Sequence, residues 1–324
     1  MTFLKLSGCS LSGGLPAALA TSIPKLRMLY LNGNAFTGGL PVGWGSPGAW
    51  PSLQLLFLGD NQLTGPLPDA WATPGAFPAL FQLSLSGNGL TGPLPSSWAS
   101  VGAFPLLADL ILLGNQIQGP LPESWGAPGG FSKLSGLLLA FNPIAGSLPA
   151  SWGQSGAFPS LDTLYLHDTH ISGPLPDAWG QAGAFPSLVW LSLFDTNISG
   201  SLPVSLPAVW GTPGALPKLE KLFLSNTGLS GSVPASWAQP GALPSLHTLD
   251  VTKTGITGEV PGGSAEGAAR PSDHGQPAQP GRYRRLGPAA PAKAGVAVAA
   301  GCTCRAVCVT AAAAIFRIFA VRRW

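Results

Sequence analysis

Three neighbouring side chains near the middle of the chain are of types that perform acid–base catalysis or bind metal ions. His167, Asp168 and His170 bring two imidazoles and a carboxylate together, and such groups serve as general bases and metal ligands. The sequence register described below places His167 and Asp168 at the solvent edge of a strand and His170 just after a buried turn position. We therefore interpret them as exposed surface residues and predict no catalytic or metal site there.

Three cysteines and a glycosylation signal are the other groups with possible chemistry. Cys302, Cys304 and Cys308 cluster near the C-terminus, where they could be palmitoylated beside a membrane or bind a metal weakly. They supply at most three ligands with no histidine between them, so a zinc site is not favoured. Asn197-Ile198-Ser199 is the only glycosylation sequon and gives slight support for secretion.

Composition and motif content exclude several classes of protein. Charged residues make up 9% of the chain and hydrophobic residues 45%, so it must bury a core and cannot be disordered throughout. Residues 1–261 carry 7 basic and 11 acidic side chains, whereas residues 262–324 carry 9 and 2. Nucleic-acid binding rests on clustered Lys and Arg, so we do not expect it of the main body. Phosphate-loop, hydrolase, metalloprotease and kinase motifs are absent from the sequence, and we predict neither an enzyme nor a cofactor.

An internal repeat supplies the elements that position these residues. The phrase Leu-Pro-x-x-Trp, with Val in place of Leu in its last copy, recurs with spacings of 27 residues five times, then 31, then 27. Its tryptophans are Trp44, Trp71, Trp98, Trp125, Trp152, Trp179, Trp210 and Trp237. With a partial unit at the start and one after the last Trp, the period gives ten coils. The 31-residue unit contains a four-residue insertion, which should bulge locally without shifting the later register.

The repeat pattern resembles a known family. One unit shows it in full, with Leu80, Leu83, Leu85, Asn88, Leu90, Gly92, Leu94, Pro95, Trp98, Phe104 and Pro105. Through this pattern residues 1–261 resemble the leucine-rich repeat family, and the Thr/Ser-Gly-x-Leu-Pro segment is similar to the plant-specific class of receptor ectodomains and polygalacturonase inhibitors. The Trp after the Pro and the Gly-Ala-Phe-Pro stretch depart from that class, which favours a lineage variant with green algae as the candidate source.

The resemblance implies an α/β repeat fold, a right-handed solenoid with a parallel concave β-sheet and short helical or 3-10 turns on the convex side. It also implies a non-catalytic scaffold that binds a protein or peptide, like a receptor ectodomain. An intracellular cytoskeletal or ciliary scaffold is the alternative, and an enzyme is a poor third. Localisation stays open: membrane-anchored or extracellular if the N-terminus is truncated, and cytoplasmic otherwise.

Stacking of coils assigns a role to each repeated position, because each coil buries its apolar face only against its neighbours. Alternating leucines such as Leu29 and Leu31 should point inward from short parallel strands. Asn34 and its equivalents should satisfy buried backbone groups at the next turn, and the threonines from Thr169 onward should hold a looser turn because a hydroxyl makes fewer hydrogen bonds. Pro after Leu suits the first position of a helical turn. We interpret the tryptophans as core packing, since a binding column would vary.

Both ends depart from the repeat. A unit begins at Met1, so we expect an N-terminal cap to be missing from the sequence, together with any secretion signal. Residues 262–293 lack the period and are predicted to be a flexible linker. Residues 294–324 form an apolar and basic tail, whose stretch 294–321 is a candidate membrane segment or, alternatively, an amphipathic surface segment. Arg305 near its centre opposes insertion by about 2.5–3.5 kcal/mol.

We predict the ligand-binding surface on the concave face, late in the array. Positions flanking the strand leucines are small or weakly polar in places, but three neighbouring coils carry large or charged side chains there. These are Tyr165, His167, Asp168, Trp190, Phe194, Asp195, Lys221 and Phe223. Aromatic rings beside a few charges are typical of interface hot spots, and solvent-facing rings have no packing role. A chance apolar surface is the alternative, because Tyr30 and Phe57 put rings elsewhere on the same face.

Overall fold

The computed structural model describes residues 1–200 and 206–257, and this part of the chain forms twenty short strands. In chain order they are β1 Phe3–Lys5, β2 Ser12–Gly14, β3 Met28–Tyr30, β4 Ala35–Gly38, β5 Leu55–Phe57, β6 Gln62–Pro66, β7 Gln82–Ser84, β8 Gly89–Gly92, β9 Asp109–Ile111, β10 Gln116–Ile117, β11 Gly136–Leu138, β12 Ala145–Gly146, β13 Thr163–Tyr165, β14 His170–Gly173, β15 Trp190–Ser192, β16 Asn197–Ile198, β17 Lys221–Phe223, β18 Ser230–Ser232, β19 Thr248–Asp250 and β20 Gly255–Thr257. Each coil contributes one odd-numbered and one even-numbered strand.

The odd-numbered strands form the concave sheet. Its ten strands pair in parallel in the order β1-β3-β5-β7-β9-β11-β13-β15-β17-β19, so strands of successive coils are neighbours in the sheet. The central leucine of each strand pairs with its equivalent in the next coil, as Leu83 does with Leu110. These leucines and those two residues later, from Leu29 to Leu224, are at most 2% exposed. The predicted inward direction of the alternating leucines is confirmed.

The even-numbered strands form smaller parallel sheets from the Thr/Ser-Gly segment of the repeat. Strands β2 to β10 make a five-stranded sheet, β12, β14 and β16 a three-stranded one, and β18 and β20 a pair. The Leu-Pro dipeptide follows these strands, and its leucine turns into the core: Leu94 and Leu121 are 4% and 2% exposed. Each coil therefore buries apolar side chains behind both of its strands.

Short 3-10 turns carry the tryptophans on the convex side. They are Val42–Gly45, Asp69–Ala72, Ser96–Ala99, Glu123–Gly126, Ala150–Gly153, Asp177–Gly180, Ala208–Gly211 and Ala235–Ala238. The first coil has a short helix instead, α1 Leu19–Ser22. The proline precedes each turn as its N-cap and is not the first helical residue, which corrects the prediction. Pro95 is extended, with φ −66° and ψ 121°, and its carbonyl accepts the turn's first hydrogen bond from the backbone N–H of Trp98 at 3.2 Å.

The eight repeated tryptophans, here called the Trp column, are core residues. Those from Trp44 to Trp210 are fully buried, and Trp237 is 8% exposed. The rings of Trp125 and Trp152 lie 6.2 Å apart at an interplanar angle of 8°, and Phe131 meets Trp125 edge-on at 5.1 Å. Nε1 of Trp125 donates to the carbonyl of Pro95 in the preceding coil at 2.9 Å. The interpretation of the column as packing is confirmed.

The asparagines from Asn34 to Asn142, here called the Asn ladder, join adjacent coils. Nδ2 of Asn115 donates to the carbonyls of Leu112 in its own coil at 3.0 Å and of Leu85 in the preceding coil at 3.1 Å. Its Oδ1 accepts from the backbone N–H of Leu90 at 3.2 Å. The threonine that follows the ladder in the next coil makes a different bond.

Threonines replace the Asn ladder in the later coils and bond differently. Oγ1 of Thr169 donates to the carbonyl of Leu166 at 2.7 Å, and Thr196 and Thr227 repeat this contact within their own coils. The hydroxyl makes fewer of these hydrogen bonds than the amide, as expected, and the looser turn stays a prediction. The hydroxyl keeps the bond within the coil, whereas the amide also bonds to the coil before it.

The insertion in the 31-residue unit leaves the register of the sheet intact. Trp190 pairs with Lys221 across it, as predicted, while residues 201–205, where the bulge was expected, lie outside the described residues. The predicted linker 262–293 and tail 294–324 also lie outside them, including the cysteines and the candidate membrane segment. Within residues 1–200 and 206–257, no helix is long and apolar enough to span a membrane.

Candidate functional site

The eight residues predicted to bind ligand lie together on strands β13, β15 and β17 and the turns after them; we call this surface the concave patch. Trp190 pairs with Thr163 on one side and Lys221 on the other. Two residues further along each strand, Ser192 separates Tyr165 from Phe223. Parallel pairing of successive coils thus gathers side chains that are far apart in sequence onto one part of the sheet.

Four side chains of the concave patch pack on one another across the strands. Tyr165 meets Trp190 edge-on with ring centroids 5.4 Å apart, and the Trp190 and Phe223 rings are 5.8 Å apart. Nζ of Lys221 lies 4.3 Å from the centre of the Trp190 ring, within the range of a cation–π contact. All four are half-buried, which corrects the prediction that these rings face solvent without a packing role. Each covers part of its neighbour and keeps part of its own surface accessible.

His167 is buried, which corrects the prediction of an exposed side chain; it is 9% exposed. Its ring stacks on Phe194 with centroids 4.3 Å apart, and Phe141 meets it edge-on at 5.2 Å. Nδ1 is in hydrogen-bond contact with Oγ of buried Ser192 at 3.0 Å. Burial lowers the pKa of His167 to about 4, against a smaller opposing effect of Asp195. The ring is therefore neutral at neutral pH and acts as a packed side chain under the patch.

Asp168, Asp195 and Asn226 occupy the same turn position in successive coils, where the strands end. Their φ angles are 51°, 52° and 54°, in the left-handed region that short polar side chains tolerate best after glycine. Nδ2 of Asn226 donates to Oδ1 of Asp195. Burial, and secondarily the charge of Asp195, raise the pKa of Asp168 to about 6. Two mutually repelling carboxyls therefore form this edge of the patch.

Phe141 adjoins the concave patch and was missed by the sequence analysis. It stands at the same turn position one coil before Asp168, with φ of 58°. Other described coils have Gly, Asp, Asn or Lys there, because a left-handed conformation costs most L-residues about 1–2 kcal/mol. The ring is 42% exposed and covers His167. A phenylalanine at a position that otherwise holds Gly, Asp, Asn or Lys stands out when the repeats are aligned, so the sequence does contain this signal.

His170 does not join the patch. It is exposed at the start of β14, whereas His167 is buried and Thr169 between them points into the core. Among the described residues, no group of three or more His, Cys, Asp or Glu side chains is placed to hold a metal ion. Asn197 of the sequon is exposed at the start of β16.

A second group of rings lies at the other end of the concave sheet; we call it the N-terminal cluster, consisting of Phe3, Tyr30 and Phe57. Tyr30 stacks on Phe57 at 4.9 Å and 11°, and Phe3 lies 5.6 Å from Tyr30. A shallow cavity of about 330 Å³ beside it is lined by Met28, Gln54, Leu55, Ala79, Phe81 and Leu106. Tyr30 and Phe57 share one strand position in consecutive coils, whereas Phe3 stands two residues earlier in its strand.

Comparison with known proteins agrees with the repeat. The family model described as Leucine Rich Repeat matches residues 52–73 and 79–101. A search of curated protein sequences gives no match. Together with the repeat and the ten-stranded parallel sheet, the family-model match defines the class of fold: the described residues form a leucine-rich-repeat solenoid, as the sequence predicted.

Two solved structures similar to this chain are plant receptor ectodomains. The leucine-rich-repeat ectodomain of the Arabidopsis thaliana membrane receptor kinase GASSHO1/SCHENGEN3, in complex with CASPARIAN STRIP INTEGRITY FACTOR 2, is 25% identical, with a TM-score of 0.59 over 78% of this chain and 30% of that chain. The Arabidopsis receptor kinase HAESA, in complex with the peptide hormone IDA and the co-receptor SERK1, is 28% identical, with a TM-score of 0.63 over 80% and 39%. This chain thus spans well under half of either receptor chain.

A third structure shows that the fold also occurs outside receptors. A plant ice-binding protein is 22% identical, with a TM-score of 0.59 over 82% of this chain and 76% of that one. At this identity the likeness concerns the fold alone. Function must therefore be argued from the site.

Proposed function

We propose that the concave sheet is a non-catalytic binding face for an extended peptide or protein segment, as in a receptor ectodomain, and that the concave patch anchors it. The observation that carries this proposal is the group of half-buried rings Tyr165, Trp190 and Phe223 on the outer face of the sheet. The solenoid is closed by its leucines and by the Trp column, which lie on the other side of the strands. Rings on the outer face are not needed for that closure.

The packing among these rings suits them to binding. Trp190 is held between Tyr165 and Phe223, so little side-chain freedom remains to be lost when a ligand covers them. Trp and Tyr supply large contact areas and dominate measured hot spots. The buried His167 lies 5.4 Å from the Tyr165 ring and supports it, and Phe141 packs on His167 in turn.

The structural neighbours support the same conclusion. The HAESA structure contains a peptide hormone and a co-receptor, and the RGFR1 structure, 25% identical with a TM-score of 0.51, contains the peptide RGF2. On this basis we propose a protein or peptide as the ligand of this chain.

Selection from a random linear peptide library provides the test. The full chain is immobilised, peptides that bind it are enriched, and each is titrated against purified variants. We expect selected peptides to bind Trp190→Ala and Phe223→Ala each about 30-fold more weakly, equivalent to about 2 kcal/mol. The double variant Tyr30→Ala/Phe57→Ala removes comparable rings from the N-terminal cluster and should bind them unchanged.

Two results would contradict the proposal. Peptides that bind the Trp190→Ala/Phe223→Ala double variant as tightly as the wild type use another surface. Equal losses in that double variant and in Tyr30→Ala/Phe57→Ala would point to general stickiness of exposed rings and not to a site.

A further inference from the structure

Carboxylates lie on both sides of the aromatic part of the concave patch. Asp168 and Asp195 stand at the C-terminal ends of their strands. Asp109 begins β9 and Asp162 immediately precedes β13. These two residues therefore stand at the opposite edge of the sheet, meaning the side at which the strands begin. Asp162 and Asp168 therefore flank β13, one directly before the strand and the other in the turn after it. Tyr165 lies midway between the two edges.

Within each pair the carboxyls act on one another. Burial, and secondarily the charge of Asp162, raise the pKa of Asp109. The coil between these two residues has Gly136, where a side-chain carbon would come within 2.7 Å of Oδ1 of Asp109. The glycine thus leaves room for the carboxyl of Asp109 on the outer face of the sheet. At the other edge the two carboxyls are closer in the stack, because Asp168 and Asp195 belong to adjacent coils, and the charge of Asp195 raises the pKa of Asp168 in addition to burial.

No basic side chain of the described residues neutralises these four carboxyls. Within the described residues, the ion pair that is present joins His247 and Glu220 at 3.4 Å and includes none of these four carboxyls. Neutral groups are the partners seen instead: Oγ of Ser135 donates to Oδ2 of Asp162 at 2.7 Å, and the amide of Asn226 donates to Asp195. The two edges thus retain negative charge that the fold does not use.

The two parts of the solenoid also differ in their balance of acidic and basic side chains. Residues 1–105 carry 2 acidic and 3 basic side chains, whereas residues 106–257 carry 8 and 4. Of those four basic residues, Lys221 already rests on the Trp190 ring. That leaves three basic side chains, Lys133, Lys218 and Lys253, against eight acidic ones in this part of the chain.

We propose, building on the proposed function, that the segment bound at the concave patch is basic, with Arg or Lys side chains paired to Asp168 and Asp195 at one edge and to Asp109 and Asp162 at the other. Its apolar side chains pack on the rings between the two edges. Arginine suits both surfaces, because its guanidinium binds a carboxylate in bidentate fashion and stacks on aromatic faces. Bringing a cation to each edge also relieves the repulsion within each carboxyl pair.

The composition of library-selected peptides is the first measurement. Against the wild-type chain, the selected pool should be enriched in Arg and Lys relative to the unselected library. Its peptides should bind Asp168→Asn/Asp195→Asn and Asp109→Asn/Asp162→Asn at least about tenfold more weakly, mostly through faster dissociation. Asparagine keeps the size of each side chain, and circular dichroism checks that the fold is retained.

A convex-side variant provides the matched control. Asp69→Asn/Asp177→Asn removes the same charge from two exposed 3-10 turns and should leave binding unchanged. Equal weakening by this control and by the patch variants would show general charge attraction and overturn the proposal. A selected pool without Arg or Lys enrichment would also overturn it.

The same titrations separate this inference from the proposed function. Uncharged or acidic peptides that lose binding to Trp190→Ala/Phe223→Ala leave the binding face intact and refute only its preference for basic segments. Failure to select any peptide sensitive to that double variant refutes the binding face itself, and the basic ligand with it.

Discussion

Two aromatic stacks cross the coils of this protein, and they differ in how strictly they repeat. The Trp column has the same residue in every coil from Trp44 to Trp237, buried and nearly parallel. In the concave patch, Tyr165, Ser192 and Phe223 share one row of the sheet, and Trp190 lies at 68° to one ring and 35° to the other. The strict repetition of the Trp column is what a core between stacked coils requires. The concave patch does not repeat, which agrees with contact to a ligand that lacks the period of the coils.

The difference teaches how to separate core from site in a repeat protein. A side chain that each coil needs for stacking must recur, because every coil meets an identical neighbour. A side chain that meets a ligand is subject to no such requirement. Burial alone does not separate the two, since His167 is buried within the patch, but periodicity does.

The largest effect is expected in the Trp column. Trp125→Ala removes a fully buried indole and one of the two hydrogen bonds that the Pro95 carbonyl accepts, so the free energy of unfolding should fall by about 3–5 kcal/mol. Denaturant unfolding measures this. Trp125→Phe retains a ring and serves as the control, with a smaller loss. A loss below about 1 kcal/mol for the alanine variant would mean that the column is not a core element.

The Asn ladder gives the next effect, and it tests whether other repeated positions are structural. Asn115→Thr should keep the bond to Leu112 and lose those to Leu85 and Leu90. We expect a loss of about 2 kcal/mol in unfolding free energy, because buried backbone groups lose their partner. Thr196→Ser, which preserves its single hydroxyl bond, should change stability by less than about 1 kcal/mol. An equal effect of both substitutions would remove the distinction between amide and hydroxyl coils.

Truncation in the concave patch should cost less stability than truncation in the Trp column. Trp190→Ala removes two aromatic contacts from a half-buried ring, worth about 1 kcal/mol. Unfolding under the conditions used for Trp125→Ala makes the comparison direct. If the two alanine variants lost equal stability, the patch would be a structural stack, and its proposed role in binding would lose its main support.

The smallest effect concerns pH and the two oppositely shifted groups of the patch. The pKa of His167 is lowered to about 4, so the unfolded chain binds its proton more tightly and stability falls as the pH drops below 6.5. The pKa of Asp168 is raised to about 6, so the folded chain binds its proton more tightly and stability rises as the pH drops from 6 toward 3.8. The two contributions oppose each other in the same range.

Variants separate these contributions. Relative to wild type, His167→Gln should lose less stability on acidification, by about 1 kcal/mol between pH 6.5 and 5. Asp168→Asn should lose more stability than wild type over the same range. Unfolding free energies at several pH values provide the slopes, which are compared so that any overall destabilisation cancels. Parallel slopes for wild type and His167→Gln would contradict the lowered pKa.

Much of the fold could be predicted from the sequence. The period gave the ten coils, the alternation of leucines gave the inward face, and the recurrence of Trp gave the core column. The position of Pro95 was wrong by one residue, since pattern alone does not show whether a proline caps a turn or begins it. The grouping of the eight patch residues followed from register, while their role in binding stays a prediction.

The sequence by itself determined which residues share a row of the sheet, because identical coils place residues one period apart next to each other. Only the tertiary structure decided what each row's side chains do to one another. The burial of His167 depends on Phe141, Phe194 and Ser192, which come from the coils on either side. The raised pKa of Asp168 depends on burial and on a carboxyl one coil away. Such effects arise from distances and solvent exclusion between coils, and these are set by packing and not by the order of residues along the chain.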